Sequence, residues 1–197
     1  QIFQLPRILY IAIVGGCFHG SIPEDICNAT TLNTLVLEGL RSGKNCRESF
    51  LDPFNLIPSK VYRTSTVRGT IPSCIWNLTN LQTLYLSGNL IEGTIPSSDI
   101  IPSSLIRLSL SYNKLTGTIP KSLQKQEYQY FDLEHNRLTG TSEHIIINKQ
   151  MKNETHLTLS VNRLSGHIDN LKILESIDVL SGNVYSCRNR DELPKND

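Results

Sequence analysis

Residues 81–96 read LQTLYLSGNLIEGTIP, and residues 105–120 read LIRLSLSYNKLTGTIP. Both stretches follow one template, LxxLxLxxNxLxGxIP. The string Gly-Thr-Ile-Pro recurs at a constant interval of 24 residues, beginning at Gly69, Gly93 and Gly117. A fixed period of this length indicates a chain made of stacked copies of one short unit.

Degraded copies of the template continue the period in both directions. Gly20-Ser-Ile-Pro lies 49 residues before Gly69, which predicts one further copy between them. The repeats predict a single solenoid of about eight coils over residues 1–187, with an irregular insert at residues 41–60. Residues 188–197 are expected to begin a C-terminal cap or linker that is truncated.

The third strand lies in the least regular part of the pattern. Counting back from Gly69 points Lys60 and Tyr62 inward, whereas hydrophobicity favours burying Val61. The sequence is compatible with both strand registers.

The LxLxx segment of each copy alternates with a period of two, which is typical of a strand buried on one face. Leu84 and Leu86 are therefore expected to point inward. Because every coil runs in the same direction, the strands of successive coils stack in parallel and close a continuous core.

The pattern resembles the leucine-rich repeat, and more narrowly the plant-type subclass marked by LxGxIP. The resemblance implies an α/β-type repeat solenoid, a right-handed superhelix with a parallel β-sheet on its concave face. Short 3-10 or helical turns are expected on the convex side, including one after Pro120. The resemblance also implies a structural ladder of asparagines, formed by Asn89, Asn113, Asn136, Asn162 and Asn183.

Composition limits the possible partners. The 197 residues carry 19 Lys and Arg against 18 Asp and Glu, a net charge of +1, which offers no electrostatic basis for binding nucleic acid. The longest apolar run, residues 8–14, falls far short of the ~20 residues that span a bilayer. No membrane span is predicted within this chain.

Three sequons and five cysteines bear on the compartment. The sequons predict N-glycosylation at Asn28, Asn77 and Asn153, and with the plant-type repeat they favour a secreted or cell-surface protein in which disulfides form. Neighbouring coils lie about 5 Å apart, so a bridge between coils two apart is disfavoured, which argues against Cys27 with Cys74. The hypothesis is Cys46 with Cys74, while the partner of Cys187 is expected outside the chain.

No enzyme signature is found. The chain lacks a GxSxG elbow, a phosphate-binding glycine loop and an HExxH helix, and its cysteines fit no zinc template. His135 and His156, with Asp132 and Glu134, form the only polar titratable cluster, and a solvated surface patch is the favoured interpretation. The chain is therefore predicted to be non-enzymatic, with no metal and no cofactor.

The concave face is the preferred site for a partner, because it presents one row of side chains per coil in a rigid register. Tyr85, Arg107 and Tyr130 are the predicted anchors, since Tyr and Arg often carry binding energy at interfaces. The predicted contact set comprises Thr83, Tyr85, Ser87, Arg107, Ser109, Ser111, Tyr130, Asp132, Glu134, His156, Thr158 and Ser160. A protein or peptide is the first choice of partner and a glycan the second.

The resemblance leads to two hypotheses about function. The first is an extracellular module that recognises a ligand through the concave face. The second is a structural subunit of an extracellular or lumenal assembly, which would contact neighbouring chains through the edges and ends of the solenoid. An enzyme inhibitor would use the same concave face as a receptor, and binding at an edge or at the insert is the competing placement.

Overall fold

The computed structural model describes residues 7–14, 20–39, 67–98, 101–142, 146–147, 156–166, 176–179 and 181–185. Within these residues the strands are β1 (Tyr10–Val14), β2 (Gly20–Ser21), β3 (Thr34–Glu38), β4 (Val67–Gly69), β5 (Thr83–Tyr85), β6 (Leu90–Thr94), β7 (Arg107–Ser109), β8 (Lys114–Thr116), β9 (Glu127–Tyr128), β10 (Tyr130–Asp132), β11 (Thr139–Thr141), β12 (Ile146–Ile147), β13 (His156–Thr158), β14 (Arg163–Ser165) and β15 (Ser176–Asp178). Two 3-10 turns, Glu24–Asn28 and Ser73–Asn77, and the helix α1, Lys121–Gln124, complete the described secondary structure.

The main sheet contains seven parallel strands in the order β1-β3-β5-β7-β10-β13-β15. Each strand belongs to one coil, so the register aligns equivalent template positions, and Leu84 lies opposite Leu108, which lies opposite Phe131. This is the predicted leucine-rich-repeat architecture, with low helix content.

Alternation along the strands builds the core. The inward residues Leu84, Leu86 and Leu108 are fully buried, and Phe131 continues their row in the next coil. Burying a side chain of this size contributes about 1.5–3 kcal/mol, so one coil alone cannot hold the fold but a stack of them can.

Shorter parallel sheets form on a second side of the coils. One has the order β2-β4-β6-β8 and another pairs β11 with β14, and an isolated bridge between Thr118 and Thr139 links the two. Gly117 lies at the turn here with φ +75°, and a Cβ at this position would lie 2.9 Å from Cγ2 of Thr94. Only glycine satisfies both the left-handed backbone and this close approach.

A proline precedes each of the described convex turns. The 3-10 turns begin after Pro23 and Pro72, and α1 begins after Pro120. The fixed φ of proline suits the entry to a helical turn, where its missing N–H needs no partner. The short helical turn predicted after Pro120 is confirmed.

The copy predicted between Gly20 and Gly69 does not supply a strand to the main sheet. Strand β3 pairs directly with β5, and Leu35 lies opposite Leu84. The side-chain amide of Asn89 also donates to the carbonyl of Leu37 at 2.7 Å. The described residues therefore place seven strands in this sheet, one fewer than the predicted eight coils.

The extra length instead belongs to one coil. The described part of this coil ends at Gly39 and resumes at Val67, whose N–H donates to Oδ1 of Asn89 at 3.0 Å. A spacing of 49 residues thus imitates two periods. Residues 41–60 and the alternative third-strand residues Lys60, Val61 and Tyr62 lie outside the described residues.

The predicted pairing of Cys46 with Cys74 is wrong, because Cys74 is bonded to Cys27. The Cα atoms of Cys27 and Cys74 are 5.7 Å apart, on 3-10 turns of adjacent coils. The argument against this pair assumed an intervening coil, and the direct pairing of β3 with β5 removes that assumption. Cys46 and Cys187 lie outside the described residues, so the partner of Cys187 stays a prediction.

Candidate functional site

The outward side chains of the main sheet form two rows across the coils. The first row runs through Thr34, Thr83, Arg107, Tyr130 and His156. The second row lies two residues further along each strand and runs through Val36, Tyr85, Ser109, Asp132 and Thr158. The register thus brings the predicted strand residues side by side on the concave face.

Three aromatic side chains form a continuous ribbon over four coils. The rings of Tyr85 and Tyr130 are tilted by 52° with centroids 5.6 Å apart, although a strand lies between theirs. The ring of Tyr130 also stacks on the imidazole of His156, with centroids 4.6 Å apart and planes tilted by 15°. All three side chains are partly exposed. We call Tyr85, Tyr130 and His156 the aromatic ribbon.

A polar floor lies beneath and beside the ribbon. Six of the predicted contact residues are at most 6% exposed, namely Ser87, Ser109, Ser111, Asp132, Thr158 and Ser160. The hydroxyls of Ser87 and Ser109 are 2.6 Å apart, and Ser109 donates to Oδ2 of Asp132 at 3.0 Å. These buried groups satisfy one another and position the residues above them.

The floor also orients two partly exposed members of the site, Glu134 and His156. The Oδ1 atom of Asp132 accepts the backbone N–H of Glu134 at 3.0 Å, and the Ser160 hydroxyl donates to Oε2 of Glu134 at 3.3 Å. The Thr158 hydroxyl lies 2.6 Å from Nε2 of His156. The side chains available to a partner are therefore Thr83, Tyr85, Arg107, Tyr130, Glu134 and His156.

The electrostatic environment of the ribbon is mainly negative. Burial raises the pKa of Tyr85, the Arg107 cation lowers it, and the carboxylates of Glu38 and Asp132 raise it further. Burial also raises the pKa of Tyr130, and Asp132 and the other nearby carboxylates act in the same direction. Among the described residues whose charges act on the two tyrosines, Arg107 is the only cation.

A second aromatic pair borders the concave face and was not predicted. Tyr112 and His135 adopt left-handed backbone conformations, with φ of 53° and 50°, directly before a ladder asparagine. Their rings stack with centroids 4.3 Å apart. The equivalent positions include Gly88 and Gly182, so the glycine in SGN was the available signal that this position turns outward.

The two histidines of the titratable cluster contact different aromatic rings. Register places His156 beside Tyr130, whereas His135 stacks on Tyr112 at the turn beyond the strand. Among the described residues, no group of three His, Cys, Asp or Glu side chains is arranged to hold a metal ion.

Asparagines join each coil to the one before it. Asn136 donates to the carbonyls of Leu110 and Leu133 at 2.9 and 3.1 Å, and its Oδ1 accepts the N–H of Leu115 at 3.0 Å. The same pattern recurs at the other predicted ladder positions, Asn89, Asn113, Asn162 and Asn183. These side chains are committed to the backbone rather than to a partner.

Two of the three sequons occupy equivalent positions on neighbouring coils. Asn28 and Asn77 each end a 3-10 turn and are exposed. The edge that carries them is separate from the strand rows of the concave face. Asn153 lies outside the described residues, and glycosylation at all three sites stays a prediction. Within the described part of the chain, none of the helices has the length and apolarity that a membrane crossing requires.

Comparison with known families finds the Leucine Rich Repeat model at residues 80–99 and 104–126, which contain the two full copies of the template. A sequence comparison with curated proteins finds no match.

Several solved structures of plant proteins have a similar fold. A plant ice-binding protein is 27% identical with a TM-score of 0.63, and the match covers 93% of this chain and 52% of that one. The ectodomain of the Arabidopsis receptor kinase HAESA, in complex with an N-terminally extended IDA peptide hormone, is 28% identical with a TM-score of 0.65, covering 94% of this chain and 27% of that one. HAESA in complex with IDA and the co-receptor SERK1 is 26% identical with a TM-score of 0.61, with 93% and 27% covered. This chain thus spans about half of the first protein and about a quarter of the HAESA chains.

Proposed function

Because the chain is a leucine-rich-repeat protein of the plant type, we propose that it is an extracellular interaction module that binds an extended peptide or protein segment on its concave face. The observation that carries this proposal is the aromatic ribbon above the polar floor. Tyr85, Tyr130 and His156 are partly exposed, yet each is held by a ring contact. Anchors that are rigid before binding lose little conformational entropy when a partner docks.

Arg107 adds a polar anchor beside the ribbon. It precedes Tyr130 in the first row, directly across the strand pair. A guanidinium there offers several donors to the carbonyl groups of an extended chain. Tyr and Arg clustered over a dry floor match the composition of interface hot spots.

The likeness to the HAESA ectodomain supports the same class of partner. That ectodomain is described in complex with the peptide hormone IDA. Leucine-rich-repeat ectodomains are generally non-enzymatic, and a binding module needs only the rigid face described above.

The test is selection of peptides from a random 12-residue phage library on the immobilised full chain, followed by calorimetry with the selected peptides. A chain with Tyr85→Ala, Arg107→Ala and Tyr130→Ala should bind these peptides at least about 100-fold more weakly, since hot-spot residues contribute about 2 kcal/mol or more each.

Tyr10→Ala is the matched control. Tyr10 is an exposed tyrosine on the same sheet, in β1, two strands away from Tyr85. This variant should retain full affinity. Selected peptides that bind the triple variant as tightly as the parent chain would move the site off the concave face.

A second candidate function, binding to an ice surface, is favoured by one specific feature on another side of the solenoid. Exposed threonines pair across neighbouring strands there, Thr94 with Thr116 and Thr118 with Thr139. The series continues to Thr141, which pairs with Ser165. We call these six residues the threonine array.

The array has a regular spacing in two directions. Neighbouring strands lie about 4.8 Å apart and alternate residues along a strand about 6.6 Å apart. The hydroxyls of Thr116 and Thr139 are oriented by donation to the carbonyls of Gly93 and Gly117, at 3.1 and 3.2 Å. A rigid grid of hydroxyl and methyl groups suits an ordered water surface, and the similarity to a plant ice-binding protein supports this candidate.

Ice binding is tested by thermal hysteresis and by inhibition of ice recrystallisation. Thr118→Lys with Thr139→Lys should abolish both effects, because the long charged side chains break the flat grid. Thr83→Lys on the concave face is the control and should leave them intact. If the parent chain shows neither effect at millimolar concentration, this candidate is eliminated and the peptide-binding proposal is unaffected.

A further inference from the structure

The concave face carries a charge pattern that selects among peptides. At the start of the strands lies the cation of Arg107, and toward the other end lie the carboxylates of Asp132 and Glu134. Glu38, at the end of β3, is partly buried and acts electrostatically on both tyrosines of the ribbon. Along the sheet, Glu38 therefore lies one strand before Tyr85, whereas Asp132 and Glu134 lie in the coil of Tyr130 itself.

The positions of these carboxylates are fixed by the fold. Val36 lies opposite Tyr85, and the N–H of Gly39 donates to the carbonyl of Ser87 at 3.0 Å, so Glu38 follows Tyr85 along the neighbouring strand. On the far side, Asp132 is 6% exposed and receives two hydrogen bonds, from the Ser109 hydroxyl and the Glu134 N–H.

The hydrogen bonds within the floor leave negative charge uncompensated. Ser109 and the Glu134 N–H are neutral donors, and the described residues show no ion pair to Asp132. A carboxylate in this low-dielectric setting attracts a cation more strongly than one in water. The two tyrosine rings add their electron-rich faces, which also attract cations.

Resting on the proposed peptide-binding function, we infer that the ligand is an extended peptide whose arginine side chain lies across Tyr85 and Tyr130, with its guanidinium beside Glu134 and attracted as well by the negative charges of Glu38 and the buried Asp132. A planar guanidinium stacks on aromatic rings and hydrogen-bonds carboxylates in a fork, which a compact ammonium does less well. The peptide backbone then runs toward the start of the strands, where Arg107 meets its carbonyls.

The test uses the phage-selected peptides on the full chain. The selected sequences should be enriched in arginine, and replacing that arginine by citrulline, its neutral isostere, should weaken binding by about tenfold or more. Replacement by lysine should give an intermediate loss.

Variants of the protein locate the effect. Glu38→Gln with Glu134→Gln should bring the arginine and citrulline peptides to similar affinities, whereas Arg107→Ala should lower both affinities and leave their ratio unchanged. Asp132 belongs to the buried floor, so Asp132→Asn tests the fold as well as the charge. The test therefore relies on the Glu38 and Glu134 double variant, whose side chains are less buried.

The outcomes separate the two levels of the proposal. Peptides that bind through Tyr85 and Tyr130 without an arginine preference, or that prefer acidic residues, overturn this inference and leave the peptide-binding function standing. A library that yields no concave-face binder overturns both. If the Glu38 and Glu134 double variant still binds the arginine peptide more tightly than the citrulline peptide, the arginine binds elsewhere. That result also overturns the inference.

Discussion

The ring of Tyr130 stacks on the imidazole of His156 with centroids 4.6 Å apart and the planes 15° from parallel. Tyr130 also contacts the ring of Tyr85. Each such aromatic pair contributes about 0.5–1.5 kcal/mol beyond its buried area, so Tyr130→Ala should lower the free energy of unfolding by about 2 kcal/mol. Urea denaturation measures this change. Tyr130→Phe keeps both ring contacts and should stay close to the parent, and equal losses for the two variants would contradict the stacking argument.

The buried hydroxyl of Tyr128 predicts a stabilising substitution. Tyr128 is fully buried at a position where the template has leucine, and its hydroxyl has no hydrogen-bond partner among the described residues. An unpaired buried hydroxyl loses its hydrogen bonds to water when the chain folds, and removing it removes that cost. Tyr128→Phe should therefore stabilise the chain by about 1 kcal/mol. A destabilisation of similar size would show that the hydroxyl is paired in solution.

Tyr128 also gives the chain a defined response to alkali. Burial raises the pKa of Tyr128 above its ordinary value of 10.0, and the pKa of Tyr130 is raised as well. The folded chain therefore keeps protons that the unfolded chain loses above pH 10, so the stabilising contribution is complete below that pH and declines above it. Unfolding free energies measured from pH 8 to pH 12 should fall above pH 10, and less steeply in Tyr128→Phe.

The asparagine ladder predicts large and local losses. Asn136→Ala removes the donor to Leu110 and Leu133 and the acceptor for the N–H of Leu115. Leaving several buried backbone groups unpaired should cost about 3 kcal/mol or more. Asn80→Ala is the control, since Asn80 makes one exposed hydrogen bond to Thr30 and should cost under about 1 kcal/mol. Comparable losses at the two sites would refute the ladder's role.

The Cys27–Cys74 disulfide leads to two predictions, one for peptide mapping and one for the free energy of unfolding. Digestion without reduction should release a peptide that joins Cys27 to Cys74, and a Cys46–Cys74 peptide would contradict the structure. The sequence separation of Cys27 and Cys74 is 47 residues. For a loop of this length the chain-entropy relation gives about 4 kcal/mol, so Cys27→Ser with Cys74→Ser should lose up to that amount in denaturant titrations.

Local periodicity explains why most of the fold was predictable. The inward leucines, the asparagine ladder and the turn after Pro120 all occupy positions that recur with the period of the template. The coil count failed because a spacing of 49 residues, two periods plus one residue, fits either two coils or one coil with an insertion. The pairing of β3 with β5 distinguishes the two cases, and that pairing is tertiary.

The sequence predicted which side chains point outward from the strands, but not how deeply each one is buried. The two-residue period identified the outward strand positions, including Tyr85 and Tyr130. It did not indicate that Ser109 and Asp132 would be buried, because both are small or polar residues at outward positions. Their burial depends on side chains of neighbouring coils, such as the hydroxyl of Ser87 that meets Ser109, and a one-dimensional pattern does not contain these contacts.

The Cys27–Cys74 bond encloses the whole of the long coil between the two convex turns. A protease that cuts once anywhere between these cysteines therefore produces two fragments that remain one covalent molecule. On a gel such a nicked protein would migrate as the intact chain until a reductant is added. Processing within residues 41–60 would thus create a new pair of chain ends without releasing β1 and β3 from the rest of the solenoid.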